Sequence, residues 1–187
     1  MRGRARLSLI LLGLLSSAPP LSATTIGGGV TGGGGGGEFR LLDARDGLVV
    51  GRNAQQSPDL HAFDEDQNIL IEQDIAVDIG AYGLTIPAGS VVASHYVFFD
   101  PAGPMRQAGY VEFDAPILGI ATSQRTMAAT DFLANTDVTY LNPRLRGLES
   151  RDMVWIDTEN PFRVRVLWSA SSPGDYIRVF TSKSPGV

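Results

Sequence analysis

The chain has 187 residues, 43% of them hydrophobic and 19% charged, with no cysteine, two histidines and a formal net charge of −5. That length suits one domain with a buried core. The missing cysteines exclude disulfides, thiolate nucleophiles and Cys-ligated metal centres, and two histidines exclude a three-His site. The acidic balance argues against a nucleic-acid binder, which needs a clustered basic face.

Residues 1–23 read as a signal peptide. Arg2, Arg4 and Arg6 precede an apolar run from Leu7 to Leu15, which is too short to span a bilayer. The small-residue stretch from Ser16 to Ala23 supplies the cleavage region, and we place the cut after Ala23. No cysteine follows the run, so lipid attachment there is excluded. Removal of the segment leaves 12 basic against 20 acidic residues, a net charge of −8, with Lys183 the only lysine. An arginine-dominated, cysteine-free exported chain reads as bacterial. No later stretch approaches the roughly 18 apolar residues of a spanning helix. The expected product is secreted or held at the cell surface, with no transmembrane anchor in the mature chain.

Residues 24–38 hold nine glycines in the eleven positions from Gly27 to Gly37 and are expected to form a flexible leader. A phosphate-cradling loop would need Lys-Ser/Thr after the last glycine, whereas Glu38 and Phe39 follow.

From Phe39 onward the periodicity is that of strands. Ile69, Ile71, Ile75, Val77 and Ile79 alternate with Glu72, Asp74 and Asp78. Residues 91–99 are apolar on both faces, as in a central strand covered on both sides. Val111 and Phe113 oppose Tyr110, Glu112 and Asp114; Phe162, Val164, Val166 and Trp168 oppose two arginines. A last strand, 175–181, follows the turn Ser172-Pro173-Gly174. One short helix is expected over about Ser123 to Ala134. The fold class predicted is an all-β antiparallel sandwich, jelly-roll-like, over 39–182 with a short tail at 183–187.

Several strings resemble a group of uncharacterised exported bacterial domains often found in proteins carrying a PEP-CTERM sorting tail. They are His61-Ala62-Phe63-Asp64-Glu65-Asp66-Gln67-Asn68, the run from Ile86 to Pro101 that contains Ser94-His95-Tyr96-Val97-Phe98-Phe99-Asp100, Val111 to Gly119, Arg146 to Asp152, and Pro173 to Val179. The match covers Leu48 to Thr181. The resemblance implies surface export and a β-rich domain, and carries no activity with it. After Thr181 only Ser-Lys-Ser-Pro-Gly-Val remains, a departure from the Pro-Glu-Pro pattern.

Four constellations are candidates for chemistry. Asp64, Asp66 and Asn68 alternate oxygen ligands suited to Ca²⁺, although Ile69 and Ile75 stand where an EF-hand has Gly and Glu; the competing reading is a solvated acidic turn. His95 with Asp100 or Asp114 would serve a small hydrolase, but Ser94 and His95 point to opposite faces of a strand, which favours a core histidine. His61 reads as a loop residue, at most a pH-sensitive contact. Trp155, Tyr176 and Arg178 alternate against Val154, Ile156, Ile177 and Val179, which makes them an outward aromatic surface suited to sugar. The functional expectation is an exported non-catalytic surface or matrix component that binds extracellular polysaccharide or other surface proteins, with Ca²⁺ as an optional aid. The alternatives are the hydrolase and a self-associating matrix subunit with an uncovered sheet edge.

Overall fold

The computed structural model describes residues 24–171 and 173–183. The signal-peptide reading of 1–23 and most of the tail at 183–187 lie outside them. The strands are β1 (Thr25–Gly33), β2 (Phe39–Leu41), β3 (Val49–Val50), β4 (Leu60–Asp64), β5 (Ile69–Leu70), β6 (Ile75–Ala76), β7 (Ile79–Gly80) and β8 (Thr85–Ile86). Then come β9 (Val91–Phe99), β10 (Met105–Phe113), β11 (Ile117–Ala121), α1 (Gln124–Ala129), β12 (Thr139–Tyr140), β13 (Met153–Ile156), β14 (Arg163–Ala170) and β15 (Asp175–Ser182).

These form an all-β sandwich. A four-stranded sheet, β1-β10-β14-β13, packs on a larger one, β2-β4-β9-β15-β11-β7. Long pairings are antiparallel; β2–β4 and β12–β3 are short parallel contacts. Period-2 alternation fixes which side chains meet. Val111 and Phe113 of β10 and Val164, Val166 and Trp168 of β14 share one core with Leu60, Ala62, Val97, Phe99, Ile177 and Val179 of the larger sheet. Rings meet across the layers, Phe99 stacking on Trp168 with centroids 6.3 Å apart.

The opposite face of the larger sheet is not wet. Phe63, Val92, Tyr96, Phe98, Tyr176 and Phe180 form a second core with Val50, Met127, Leu133 and Val138, contributed by α1, the loops and the short strands. The molecule therefore has a third, irregular layer. It explains why β9 and β15 are buried at almost every position, as expected for β9 from its two apolar faces.

The helix is shorter than the predicted span. Ser123 caps it by accepting from Thr126 N, and Thr126 returns the contact in a capping box. After Thr130 the chain tightens into a 3₁₀ turn at Asp131–Leu133. The alternation at 69–79 predicts burial correctly but not one continuous strand. Ile71, Ile75 and Val77 are buried, while pairing is broken into β5, β6 and β7, each on a different neighbour.

The glycine-rich leader requires correction. Thr25–Gly33 is a full strand paired along β10 from Thr25↔Phe113 to Gly33↔Gln107, with two register shifts. Glycine is needed there for space. A Cβ on Gly28 would lie 2.5 Å from the Phe39 ring, and one on Gly29 3.0 Å from the Tyr110 ring. The entropy cost of ordering glycine is offset by ladder hydrogen bonds and by two aromatic rings seated against bare backbone.

Candidate functional site

The open face of the four-stranded sheet carries the side chains that alternation turns away from the core. Register aligns them in rows. Trp155 lies opposite Arg165, Arg165 opposite Tyr110, and Tyr110 opposite Gly29. The next row is Met153, Leu167 and Ala108, and on the other side Arg163 lies opposite Glu112. Trp155 is 38% exposed and Met153 56%.

Charged groups lie against the Tyr110 ring and along the face. The Arg163 guanidinium sits 4.7 Å from the Tyr110 ring centroid. Its Nε donates to Glu112 Oε1 at 2.8 Å, and a second bond to that oxygen comes from Nη2. Arg165 Nε donates to Asp157 Oδ2 at 2.6 Å. The Glu159 backbone N–H and then Arg165 hold the Asp157 carboxyl below its ordinary range, so the face stays ionised at neutral pH. The bare Gly29 backbone beneath Tyr110 keeps the β1 end flat. Chemically this is a platform of rings bordered by guanidinium and carboxylate groups.

Of the three residues singled out as ligand-binding, only Trp155 is there. Tyr176 is 2% exposed and Arg178 0%. Both point away from the Ile177–Val179 core, as expected, but the third layer covers that face. Tyr176 packs between Tyr96 and Phe98 and donates its hydroxyl to Pro173 O. Arg178 Nε and Nη2 donate to Glu65 Oε2 and Oε1 at 2.5 and 2.9 Å. Its Nη1 reaches Met127 O, Thr130 Oγ1 and Asp131 Oδ1 at 3.0, 3.0 and 3.2 Å. Burial alone would push the guanidinium down; the charge and hydrogen bonds of Glu65 hold it above the ordinary arginine value. Arg178 is a strut between β15, the loop after β4 and the helix, not a ligand contact.

The strand β4 ends at Asp64, so alternation does not carry the proposed Ca²⁺ ligands Asp64, Asp66 and Asn68 onto one face. Asp64 faces the inter-sheet side, where its Oδ1 accepts from Thr25 N at 2.9 Å, Thr25 Oγ1 at 2.8 Å and His95 Nδ1 at 2.7 Å. Burial opposes ionisation of Asp64, and the bonds from His95 and Thr25 outweigh it, lowering its carboxyl. Glu65, between the expected ligands, turns the other way into the Arg178 network. Asp66 is half-buried, its carboxyl pushed up by burial and then by the Glu65 charge. Asn68 sits in the left-handed region with φ 57°. Among the described residues, no group of three or more His, Asp or Glu side chains is placed to hold a metal ion.

His95 is 0% exposed. Its ring bridges Asp64 and Thr181, with Nε2 to Thr181 Oγ1 at 3.0 Å, and packs 4.5 Å from the Phe113 ring. This is the core histidine that alternation favours. Ser94 lies on the opposite face, donating to Glu65 Oε2 at 2.7 Å. Neither Asp100 nor Asp114 forms the contact with His95 that the hydrolase reading pairs. Asp100 accepts from Asn53 N and Gln55 N at 3.2 and 2.9 Å, and Asp114 accepts from Thr24 N at 2.9 Å. Both organise turns. His61 is a buried β4 residue stacked 4.9 Å from Phe98, not a loop contact.

Sequence reasoning missed Tyr110, Arg163 and Arg165 as members of the face. The signal was present, since each alternates against a core residue. What sequence lacks is the cross-strand register that brings Trp155 level with them. Compared with known proteins, the chain matches no family model, no curated protein and no solved structure.

Proposed function

We propose that this chain is an exported, non-catalytic β-sandwich that contacts extracellular polysaccharide through the open face of its four-stranded sheet. The observation that carries the reading is the row Trp155–Arg165–Tyr110, bordered by the exposed apolar Met153 and Leu167 on one side and the Arg163–Glu112 pair on the other. A flat ring accepts the C–H face of a sugar, and fixed guanidinium and carboxylate groups exchange hydrogen bonds with its hydroxyls. Strands hold all three side chains, so little ordering entropy is lost on binding.

Export rests on the arginine-led apolar segment at the start of the sequence. Cleavage after Ala23 would convert the Thr24 N–H, 2.9 Å from Asp114 Oδ1, into an α-ammonium paired with that carboxylate. N-terminal sequencing of the secreted product is expected to begin at Thr24; a product that keeps Arg2–Arg6 refutes this part.

Binding is tested by a glycan and exopolysaccharide screen, with and without Ca²⁺. Loss of one stacking ring removes on the order of 1.4 kcal/mol, a factor of about ten in affinity. Trp155→Ala and Tyr110→Ala are each expected to weaken binding by about that factor. Binding unchanged in both variants refutes the platform, and turnover of a polysaccharide lost in His95→Ala refutes the non-catalytic reading.

A further inference from the structure

The open face of the four-stranded sheet does not stop at the aromatic row. Along β10, Arg106 alternates with the buried Gln107 and so shares that face with Ala108 and Tyr110. Ser169 of β14 lies directly opposite it. The turn before β13 is tied to the same point. Ser169 N–H donates to Asp152 Oδ1 at 2.9 Å, and Glu149 N–H closes the turn onto Asp152 Oδ2 at 2.7 Å. Arg151, within that turn, thereby shares a cleft with Arg106. The cleft has a volume of about 610 Å³ and is bordered by Arg106, Glu149, Ser150, Arg151, Ser169 and Ser171.

These two arginines differ from those elsewhere in the sandwich. Arg40, Arg45, Arg146, Arg163, Arg165 and Arg178 each pair with a carboxylate. Arg106 and Arg151 are exposed, and neither forms an ion pair or a side-chain hydrogen bond among the described residues. Glu149 stands on the same rim without pairing with either. Both Asp152 oxygens are already taken by backbone N–H groups. The cleft therefore presents two uncommitted guanidinium groups and the side chains of three serines.

We propose that this cleft holds the carboxylate or sulfate group of an acidic polysaccharide whose sugar rings lie on Tyr110 and Trp155. The inference rests on the polysaccharide reading and names the class of polymer. A planar guanidinium donates two parallel bonds to the oxygens of such an anion, and serine hydroxyls donate to the oxygens left over. Four residues of β10 separate Arg106 from Tyr110, about 14 Å, so one short oligosaccharide segment reaches both. The row between them, Met153, Leu167 and Ala108, carries no charge to repel the polymer. The chain as a whole is acidic, with a net charge of −5, and most of its surface disfavours a polyanion. Two unmatched cations at one end of the ring platform then decide where the polymer docks and which way it runs.

Polygalacturonate and its methyl ester share a backbone with and without the charge, and dextran sulfate and dextran form the corresponding sulfate pair. Calorimetric titration of the secreted chain in Ca²⁺-free buffer should show at least one acidic polymer bound about tenfold or more tighter than its neutral parent. The pair that shows the preference tells carboxylate from sulfate. Arg106→Gln and Arg151→Gln should each cut that preference about threefold or more, and the double variant should abolish it. Glu149→Gln should raise it about twofold. All three side chains are exposed, so the fold tolerates each change. Trp155→Ala should weaken acidic and neutral polymers alike and leave the preference as it was. Neutral parents bound as tightly as the acidic polymers, or a preference that survives in the double variant, overturns the anion cleft and leaves the ring platform standing. No binding of any of these polymers overturns both.

Discussion

Replacing Glu65 with glutamine isolates the contribution of the buried charge network. Both Glu65 oxygens accept only. Oε2 takes Arg178 Nε and Ser94 Oγ at 2.5 and 2.7 Å, while Oε1 takes Arg178 Nη2 and Tyr140 OH at 2.9 and 2.6 Å. A glutamine of the same size must turn its NH₂ toward one of these donor sets, whichever way it flips. Arg178 is then left fully buried without its counter-charge, with the single bond to Asp131 at 3.2 Å as its remaining charge contact. Breaking a buried pair from one side costs about 3–5 kcal/mol. At roughly 2–4 °C per kcal/mol for a domain of this size, the melting temperature should fall by about 6–20 °C. With an m-value near 2 kcal/mol/M the urea midpoint should fall by about 2 M. Urea titration followed by fluorescence of the buried Trp168 measures this directly. The double variant Glu65→Leu/Arg178→Met removes both charges and should recover about half the loss, because only the Ser94 and Tyr140 hydroxyls are then deprived of their acceptor. A single-variant loss below about 1 kcal/mol, or a double variant as unstable as the sum of its parts, refutes the account of Arg178 as a core strut.

Burial, then the charges of Asp152 and Glu149, raise the Asp175 carboxyl to about 8. The folded state therefore holds a proton that the unfolded chain releases near pH 4, so stability should fall as pH rises from about 4 through 8. Asp175→Asn should flatten that fall, which chemical denaturation at pH 5 and pH 9 compares; an unchanged pH slope contradicts the burial of this carboxyl. Gly28→Val places a side chain into the Phe39 ring and should cost about 1–3 kcal/mol by overpacking, whereas a flexible leader would tolerate it with no change in melting temperature. Asp64→Asn loses charge-assisted bonds to Thr25 and His95 and should destabilise by about 2 kcal/mol at neutral pH. Because the folded Asp64 carboxyl lies below its ordinary value, that difference should vanish as pH drops through the folded value; a gap that persists in acid speaks against the His95 pairing.

Much of the candidate surface was legible in alternation alone. Val111 and Phe113, or Val164 and Val166, turn inward because burial rewards every second residue, and Tyr110 and Arg165 must then turn outward. The same logic placed His95 in the core and separated it from Ser94. It misjudged Tyr176 and Arg178 because period 2 tells one face from the other but not which faces are covered. An arginine among apolar neighbours reads as exposed until a carboxylate is found for it, and Glu65 is 113 residues away in sequence.

The sequence by itself determined the alternating strands, one short helix near Ser123, the cysteine-free composition and the acidic charge, since each is read along the chain without knowing its distant contacts. Tertiary structure alone decided that the first part of the glycine run, to Gly33, is a strand, because glycine has no pattern of its own and β10 supplies its register. It decided likewise that Asp64 meets His95, and that Trp155 stands level with Arg165 and Tyr110. Those relations join residues 31, 10 and 45 positions apart, and only packing brings such distant parts of a chain within a few ångströms.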